Sequence, residues 1–555
     1  MKQYSVLSIL LTIGLLSAAC VKVDNSLGKG MVDKSLLYDT YTEEFALKGI
    51  QMKLADDLSG YSDTHLTIGA IRDDVFGLTT RSAAFPLVPA LDTLDLGKDP
   101  QAISFDLYFE ADTISCANDN QRGIFQSLYV YELTDSLSQN NRSAMRDIPH
   151  GTTRITKGIP VYNGDGALHF DFTQAFAQKY VDKIAAMGKV LCDRTEGQEE
   201  ANTARFRKYI GDLPGIYIET DTPDGNGGRI NLFNFSCLSV SNNYYYRNSN
   251  VAILKVNAEW EGARKDSSFL FVPGEMEFVD ESSALSSNTK FYQYCFNRTS
   301  HSTSNQAPGA TLLVEGGTGL KPVISAKELQ DSTLKAISKK SGDASKAIIV
   351  EASIVLPFEM PEDYRDMKYY PTILSPTIRT TVKTDDGDQY VTFAGLTDAS
   401  VSAEDQGDID RSNLVYSPDI SYHLQELLDR TDLDTATDAD IWLLTIHTQK
   451  VANANGSLYD SSYYQNLLYA SYYNSLYGGS YGYGGYGYGN GYGYGSSYSN
   501  YYNYMMLAQM MAASSQQTYS YTTELDKDRY YCAILNGPAA VRHPVFRVTY
   551  AIPQK

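Results

Sequence analysis

The sequence predicts a mainly β chain made of two tandem antiparallel β-sandwich units, jelly-roll-like, each with a short amphipathic helix. Three observations predict it. Apolar and polar residues alternate with period two in many short runs, clusters of Asp, Asn and Gly separate those runs, and one order of elements (strand, strand, amphipathic helix, strand) occurs twice. A chain of 555 residues, 43% of them hydrophobic, is too long for one core and apolar enough to fill two.

Each element follows from its own pattern. Ile103, Phe105, Leu107 and Phe109 alternate with Ser104, Asp106 and Tyr108, as a half-buried strand requires. Residues 128–131, 216–218 and 230–235 repeat the signal, and the Asp224-Gly225-Asn226-Gly227-Gly228 cluster predicts that the last two form a hairpin. Asp171 or Thr173 can cap a helix that places Phe172, Phe176, Tyr180 and Ile184 on one face. In the second half, 347–358 and 378–382 read as strands. Ser417-Pro418-Asp419 then opens a helix with Ile420, Leu424, Leu427 and Leu428 on one face, 440–446 is a buried strand, and 545–552 closes the sheet. Residues 251–256, 268–272, 291–296 and 311–314 are expected as further strands and 325–339 as a third helix. The expected units are 38–249 and 250–555.

The N-terminus carries an address. Lys2, the apolar run from Val6 to Leu16, Ser17-Ala18-Ala19 and Cys20 have the layout of a lipoprotein signal peptide over 1–19, its apolar stretch too short for a stable bilayer-spanning helix. Cleavage before Cys20 would leave a thiol and an amino group to carry acyl chains. At roughly 0.8 kcal/mol per buried CH₂, several chains anchor stably. Residues 20–37 are then a lipidated tether. No second apolar run of about 18 residues follows.

Composition narrows the function. A net charge of -20 opposes a nucleic-acid partner, because a phosphate backbone needs clustered Lys and Arg. Cys116, Cys192, Cys237, Cys295 and Cys532 lack zinc spacing, and buried inert thiols are expected of them, with room for one or two disulfides. HExxH, Walker A and strand-linked GxGxxG motifs are all missing from the sequence. Ser332 and Lys335 spell SxxK without its companion motifs. The acidic turns at 221–226, 385–388 and 432–440 lack EF-hand spacing and read first as ordinary turns. No enzyme activity, cofactor or metal is expected. Trp442 lies in a run apolar on both faces and reads as core.

An insert at 453–517 interrupts the second unit. No charge occurs between Ser461 and Thr523, and seventeen of the 44 tyrosines fall between Tyr459 and Tyr504. Alternating glycine raises backbone entropy while tyrosine offers apolar area with a hydroxyl, so a disordered or adhesive loop is expected. Tyr481, Tyr483, Tyr486 and Tyr488, with Met505, Met506, Met510 and Met511, are its candidate contacts with a partner.

The stretch Ile68-Gly69-Ala70-Ile71-Arg72-Asp73-Asp74-Val75-Phe76-Gly77 (IGxxxDxxFG) resembles the opening motif of a Bacteroidota lipoprotein family catalogued as a domain of unknown function. Tyr38-Asp39-Thr40-Tyr41 and residues 128–137, 169–184, 214–234 and 416–428 are similar to its other segments. In the motif, Gly69 and Gly77 would permit tight backbone and Phe76 would plug the sandwich. The resemblance implies an outer-membrane lipoprotein displayed on the cell surface, Lys22 and Asp24 being the charged residues just after the anchor. It raises the expectation of a structural or accessory subunit in barrel assembly or surface-lipoprotein display, with a β-barrel or another surface lipoprotein as partner. The alternative expectation is glycan binding on exposed aromatics.

Overall fold

Period-two alternation becomes antiparallel ladder in a mainly β structure with few helices. The computed structural model describes residues 37–554 apart from 63–64, 91–93, 117–120, 139, 190, 192, 194, 196, 235–237, 242–243, 248–250, 279–288, 293, 341–343, 384–388, 397, 399–406 and 453–518.

After β1 (Tyr38–Ala46) and β2 (Gln51–Leu54), the chain builds a first sandwich. Its strands are β3 (His65–Asp73), β4 (Gly77–Phe85), β5 (Lys98–Phe109), β6 (Gln126–Leu133), β7 (His150–Arg154), β8 (Leu168–Asp171), β9 (Ile216–Thr220), β10 (Gly227–Asn234), β11 (Ala252–Trp260), β12 (Ala263–Pro273) and β13 (Cys295–His301). One sheet runs β7-β6-β9-β4-β3-β10, with β13 also on β4, and the other runs β8-β5-β11-β12. Alternate residues of the two inner faces, among them Ile68, Phe85, Phe105, Leu107, Phe109, Val130, Ile218, Phe233, Leu254 and Phe271, meet in one core.

Helix α1 (Gln174–Met187) closes one side of that core. Thr173 caps it by accepting from the Phe176 N–H, and Phe176, Tyr180 and Ile184 are buried, as their four-residue spacing predicts. Phe105 touches the rings of Phe172, Phe176, Tyr180 and Phe271. Such aromatic pairs add about 0.5–1.5 kcal/mol each beyond area burial. A second helix, α2 (Glu199–Asp212), was not expected. Its mean apolar character is low, and Phe206 and Tyr209, with Ile210 partly buried beside them, give it a face at the core.

The second sandwich comprises β14 (Thr311–Glu315), β15 (Leu320–Ile324), α3 (Ala326–Lys339), β16 (Ile348–Pro357), β17 (Ile373–Lys383), β18 (Gln389–Gly395), β19 (Val415–Tyr416), α4 (Ser421–Asp429), β20 (Ile441–Ala452), β21 (Tyr519–Leu525), β22 (Cys532–Asn536) and β23 (Val545–Pro553). Its sheets run β1-β23-β16-β19 and β2-β15-β20-β17-β18, β21 lies on β20, and β14 pairs β22. Leu356, Phe358, Tyr416, Leu424, Leu443, Phe546 and Val548 lie in its core. Trp442 is buried beside Phe393.

The two sandwiches repeat one topology. Ladders β3–β10, β4–β9, β9–β6, β6–β7, β5–β8 and β5–β11 in the first recur as β14–β22, β15–β20, β20–β17, β17–β18, β16–β19 and β16–β23 in the second. The amphipathic helices correspond too, α1 packing on β5 and α4 on β16. The twice-occurring element order is therefore a repeated fold.

Two expectations are corrected. Residues 216–218 and 230–235 form no hairpin, because β9 pairs β4 and β6 while β10 pairs β3 and Ala111–Cys116. The β3–β4 hairpin stands between them, so the glycine cluster bridges two non-neighbouring strands. The division into 38–249 and 250–555 also fails to separate the packed units. Strands β11, β12 and β13 complete the first sandwich, whereas β1 and β2 lie on β23 and β15 of the second. The positions that β12 and β13 fill in the first sandwich are filled in the second by β1 and β2, from the far end of the chain. Each sequence half, divided at the Glu261-Gly262 turn, thus gives two strands from near its start to the other half's sandwich.

The IGxxxDxxFG motif builds the β3–β4 hairpin. Asp73 Oδ1 accepts from the N–H groups of Val75 (2.7 Å) and Phe76 (3.0 Å), and Gly77 takes φ +70°. Phe76 is buried, but in the core of the second sandwich. It plugs the neighbouring unit rather than its own. Gly69 has φ +155°, and a Cβ there would stand 2.2 Å from the Arg229 carbonyl oxygen. Gly69→Ala is expected to cost about 3 kcal/mol through strain and a forced shift of β10, read as a lower urea midpoint.

Candidate functional site

Where the sandwiches meet, ionisable side chains are buried together. From the first unit, β4 supplies Arg81, β3 supplies His65, and β13 supplies Asn297, Thr299 and His301. From the second, β14 ends at Glu315, β15 carries Lys321, and the turn between β21 and β22 carries Asp526, Lys527 and Asp528. Arg81, Thr299, Glu315, Lys321 and Asp526 are 3% exposed or less.

Arg81 Nη1 donates to Thr299 Oγ1 (2.7 Å) and to the Lys527 carbonyl (2.9 Å). Burial lowers the pKa of its guanidinium, against the pull of Asp528, Asp526 and Glu315. Gly317 makes room for it, since a Cβ there would lie 2.2 Å from Arg81 Nη2. Lys527 Nζ donates back to the Tyr61 carbonyl (2.6 Å). Tyr531 donates its hydroxyl to Asp526 Oδ2 (2.7 Å), and Asp526 Oδ1 also accepts the Arg529 N–H (3.1 Å). The turn is thus shaped by its own acid and clasped by the first unit's cations.

His65 lies between two carboxylates, with Nε2 3.3 Å from Asp112 and Nδ1 3.4 Å from Asp528. Burial alone would lower its pKa, but hydrogen bonds and charge from Asp112 and Asp528 outweigh that and lift it to about 10. Burial opposes ionisation of Asp528, yet His65, Lys527 and Arg81 hold its carboxyl below the usual range. Asn297 Nδ2 joins the same group, donating to the His65 carbonyl (2.8 Å) and to Asp528 Oδ1 (3.3 Å). The Cys295 thiol donates to the His65 carbonyl (3.3 Å).

Glu315 and His301 form the other wing. Glu315 Oε2 accepts from Thr303 (2.8 Å) and from the Leu320 N–H (3.0 Å), while Oε1 stands 3.5 Å from His301 Nδ1. Burial pushes His301 below its ordinary pKa, which leaves it neutral, bonded also to Thr79 (3.2 Å) and Thr318 (3.1 Å). Burial drives Lys321 down to about 7, opposed by Glu315, and its ammonium donates to the carbonyls of Glu315 and Gly319.

Breaking one member of such a buried network costs far more than its surface counterpart. Its chemistry suits holding two bodies in one register. His65 also gives the junction an alkaline limit. Because its folded pKa is raised above 6.5 to about 10, its stabilisation is complete below pH 6.5 and is lost as pH rises through 10. Urea midpoints of the wild type should fall across that window, and His65→Gln should remove that part of the slope.

A second buried cation braces the first sandwich. Arg229 donates to the carbonyls of Arg122 (2.6 Å), Ile124 (2.8 Å) and Tyr162 (3.1 Å) and to Asn231 (2.7 Å). Gln126 and Asn231 complete the cluster.

The residues singled out from sequence lie elsewhere. Cys20, Tyr481, Tyr483, Tyr486, Tyr488, Met505, Met506, Met510 and Met511 fall outside the described residues. The insert's point of attachment is fixed, because Ala452 and Tyr519 are opposed partners at the end of the β20–β21 ladder. Ser332 is half-buried on α3 and Lys335 exposed. In the last acidic turn, Asp432 and Asp438 both bind Arg430, and Asp440 accepts the Ala326 N–H (3.0 Å). Residues 385–388 lie outside the described ones. Among the described residues no group of three or more His, Cys, Asp or Glu side chains is placed to hold a metal, and no helix is long and apolar enough to cross a membrane. Cys295 and Cys532 are not joined in a disulfide.

Sequence reasoning missed the junction because its members are scattered from residue 61 to 531. One signal was present. Asp526-Lys527-Asp528-Arg529 is a run of alternating charge between two strands, where a turn would ordinarily use Gly or Asn.

Comparison of the chain with protein-family models, with curated proteins and with solved structures gave no match.

Proposed function

We propose that this chain is a non-enzymatic lipoprotein, anchored in the outer membrane through Cys20 and displayed on the cell surface, where it serves as an accessory subunit of a machine for barrel assembly or lipoprotein display. The observation that carries the reading is the fate of the tether. The segment after it enters β1, whose nine residues ladder onto β23 from Tyr38↔Pro553 to Ala46↔Val545. A lipid at Cys20 would thereby hold the second sandwich by a structural strand rather than by a loose tail. The buried ionisable groups described above are engaged in joining the sandwiches, which suits a rigid scaffold. The insert at the end of the β20–β21 ladder would present its tyrosines and methionines to the partner. Affinity capture of the lipidated protein from gently solubilised outer membranes tests this. A stoichiometric barrel protein is expected, and recovery of the chain alone would overturn the proposal.

One observation favours glycan binding as the second reading. Phe125 is 78% exposed, with Ile159 and Val161 also exposed, next to the β6 edge where Val161 opposes Ser127. Titration with polysaccharides against Phe125→Ala separates the two readings, since micromolar binding lost in the variant would favour the glycan.

A further inference from the structure

The chain falls into two pieces joined at one exposed loop. Piece 38–301 holds the first sandwich together with β1 and β2, and piece 311–553 holds the rest of the second. Between them run residues 302–310, all exposed except Thr303 and Pro308, which are half-buried. Across that division lie the β1–β23 and β2–β15 ladders, the burial of Leu47, Ile50, Met52 and Phe76 in the second core, and the contacts of Arg81 and His65 with the 526–528 turn. Every one of these contacts is indifferent to whether the two pieces belong to one chain.

We infer that the partner fitted to this surface is a second copy of the same chain. Two copies trade pieces at the 302–310 loop, so that each body consists of 38–301 from one copy and 311–553 from the other. Exchange keeps the ladders, the core contacts and the junction apart from the Thr303–Glu315 bond. What it gives up are the bonds of the loop itself, such as Met52 with Gln306 (2.9 Å) and the Leu54 N–H with Asn305 (2.7 Å). The protein's own architecture already uses the device, because its sequence halves reciprocally donate strands from near their starts. Exchanged pairs of this kind form at low cost when every interface contact is reproduced between chains. The loop can extend to about 30 Å at 3.3–3.6 Å per residue, and copies concentrated on one membrane meet at high effective concentration.

Shortening the loop by deleting residues 305–308 in the full chain removes the slack needed for closure within one chain. A dimer is expected. Thr42 and Thr549 are opposed, with their hydroxyls 3.0 Å apart. Thr42→Cys and Thr549→Cys, placed together in the shortened chain, should therefore link different chains, with the linked peptides mapped by mass spectrometry. A shortened chain that stays monomeric, or dimers without the 42–549 link, would sink the inference. Should the shortened chain not fold, the full-length protein decides. The two single-cysteine variants, unfolded together and refolded at high concentration, should yield a heterodisulfide between residues 42 and 549, and its absence overturns the exchange.

Discussion

Arg81→Met is expected to destabilise the protein by about 3–5 kcal/mol, because it removes a buried cation that offsets three neighbouring carboxylates and joins the two units. Asp526, Asp528 and Glu315 all bear on that cation, and its two bonds reach both units. The loss should fall on the joining of the sandwiches before it falls on either core. The tryptophans make this visible. Trp260 packs against the first core and Trp442 lies in a smaller cluster on β20 of the second unit, so Trp260→Phe and Trp442→Phe backgrounds report one unit each during urea unfolding. In the wild type the two reporters should give coincident transitions, and in Arg81→Met they should separate. Adding Asp528→Asn should restore part of the loss, since the pair is coupled through one network. Coincident, unshifted transitions in Arg81→Met would refute the structural role of the junction.

Ile50→Asp should be as damaging, and more selective. Ile50 is 2% exposed and packs in the second core from the turn between β1 and β2. A carboxylate there must either be buried without a partner or expel the donated strands, at a cost on the order of 4–5 kcal/mol. The expected result is loss of amide-exchange protection on β15, β16 and β23 with protection kept on β5, β9 and β11. Equal loss in both sandwiches would mean that the N-terminal strands support the whole body rather than the unit they complete.

Much of this fold was legible because burial writes itself into period. Phe105, Leu107 and Phe109 alternate and are buried. The helix at Phe176, Tyr180 and Ile184 shows its face just as plainly. What escaped was pairing. Alternation identifies a strand without identifying its neighbour, so the glycine cluster after β9 reads as a hairpin although β4 and β3 stand between. Long-range exchange is harder still. Nothing local in Tyr38-Asp39-Thr40-Tyr41 says that it meets residues 550–553. The motif at 68–77 was legible as tight backbone, but the destination of Phe76 depended on a second sandwich whose position no single stretch encodes. The junction residues were hidden for the same reason, since each looks like an ordinary surface charge until opposite strands close over it.

The ladder between β1 and β23 also sets a timetable. Synthesis delivers a chain from its N-terminus, so Thr42 emerges long before its partner Thr549. The first sandwich can close as soon as β13 arrives, whereas the second must wait for the last strand of the protein. During that wait β1 and β2 are unpaired strands with Leu47, Ile50 and Met52 uncovered. A holding chaperone, or rapid synthesis of the second half, would therefore matter more to this protein than to one whose sandwiches close in sequence order.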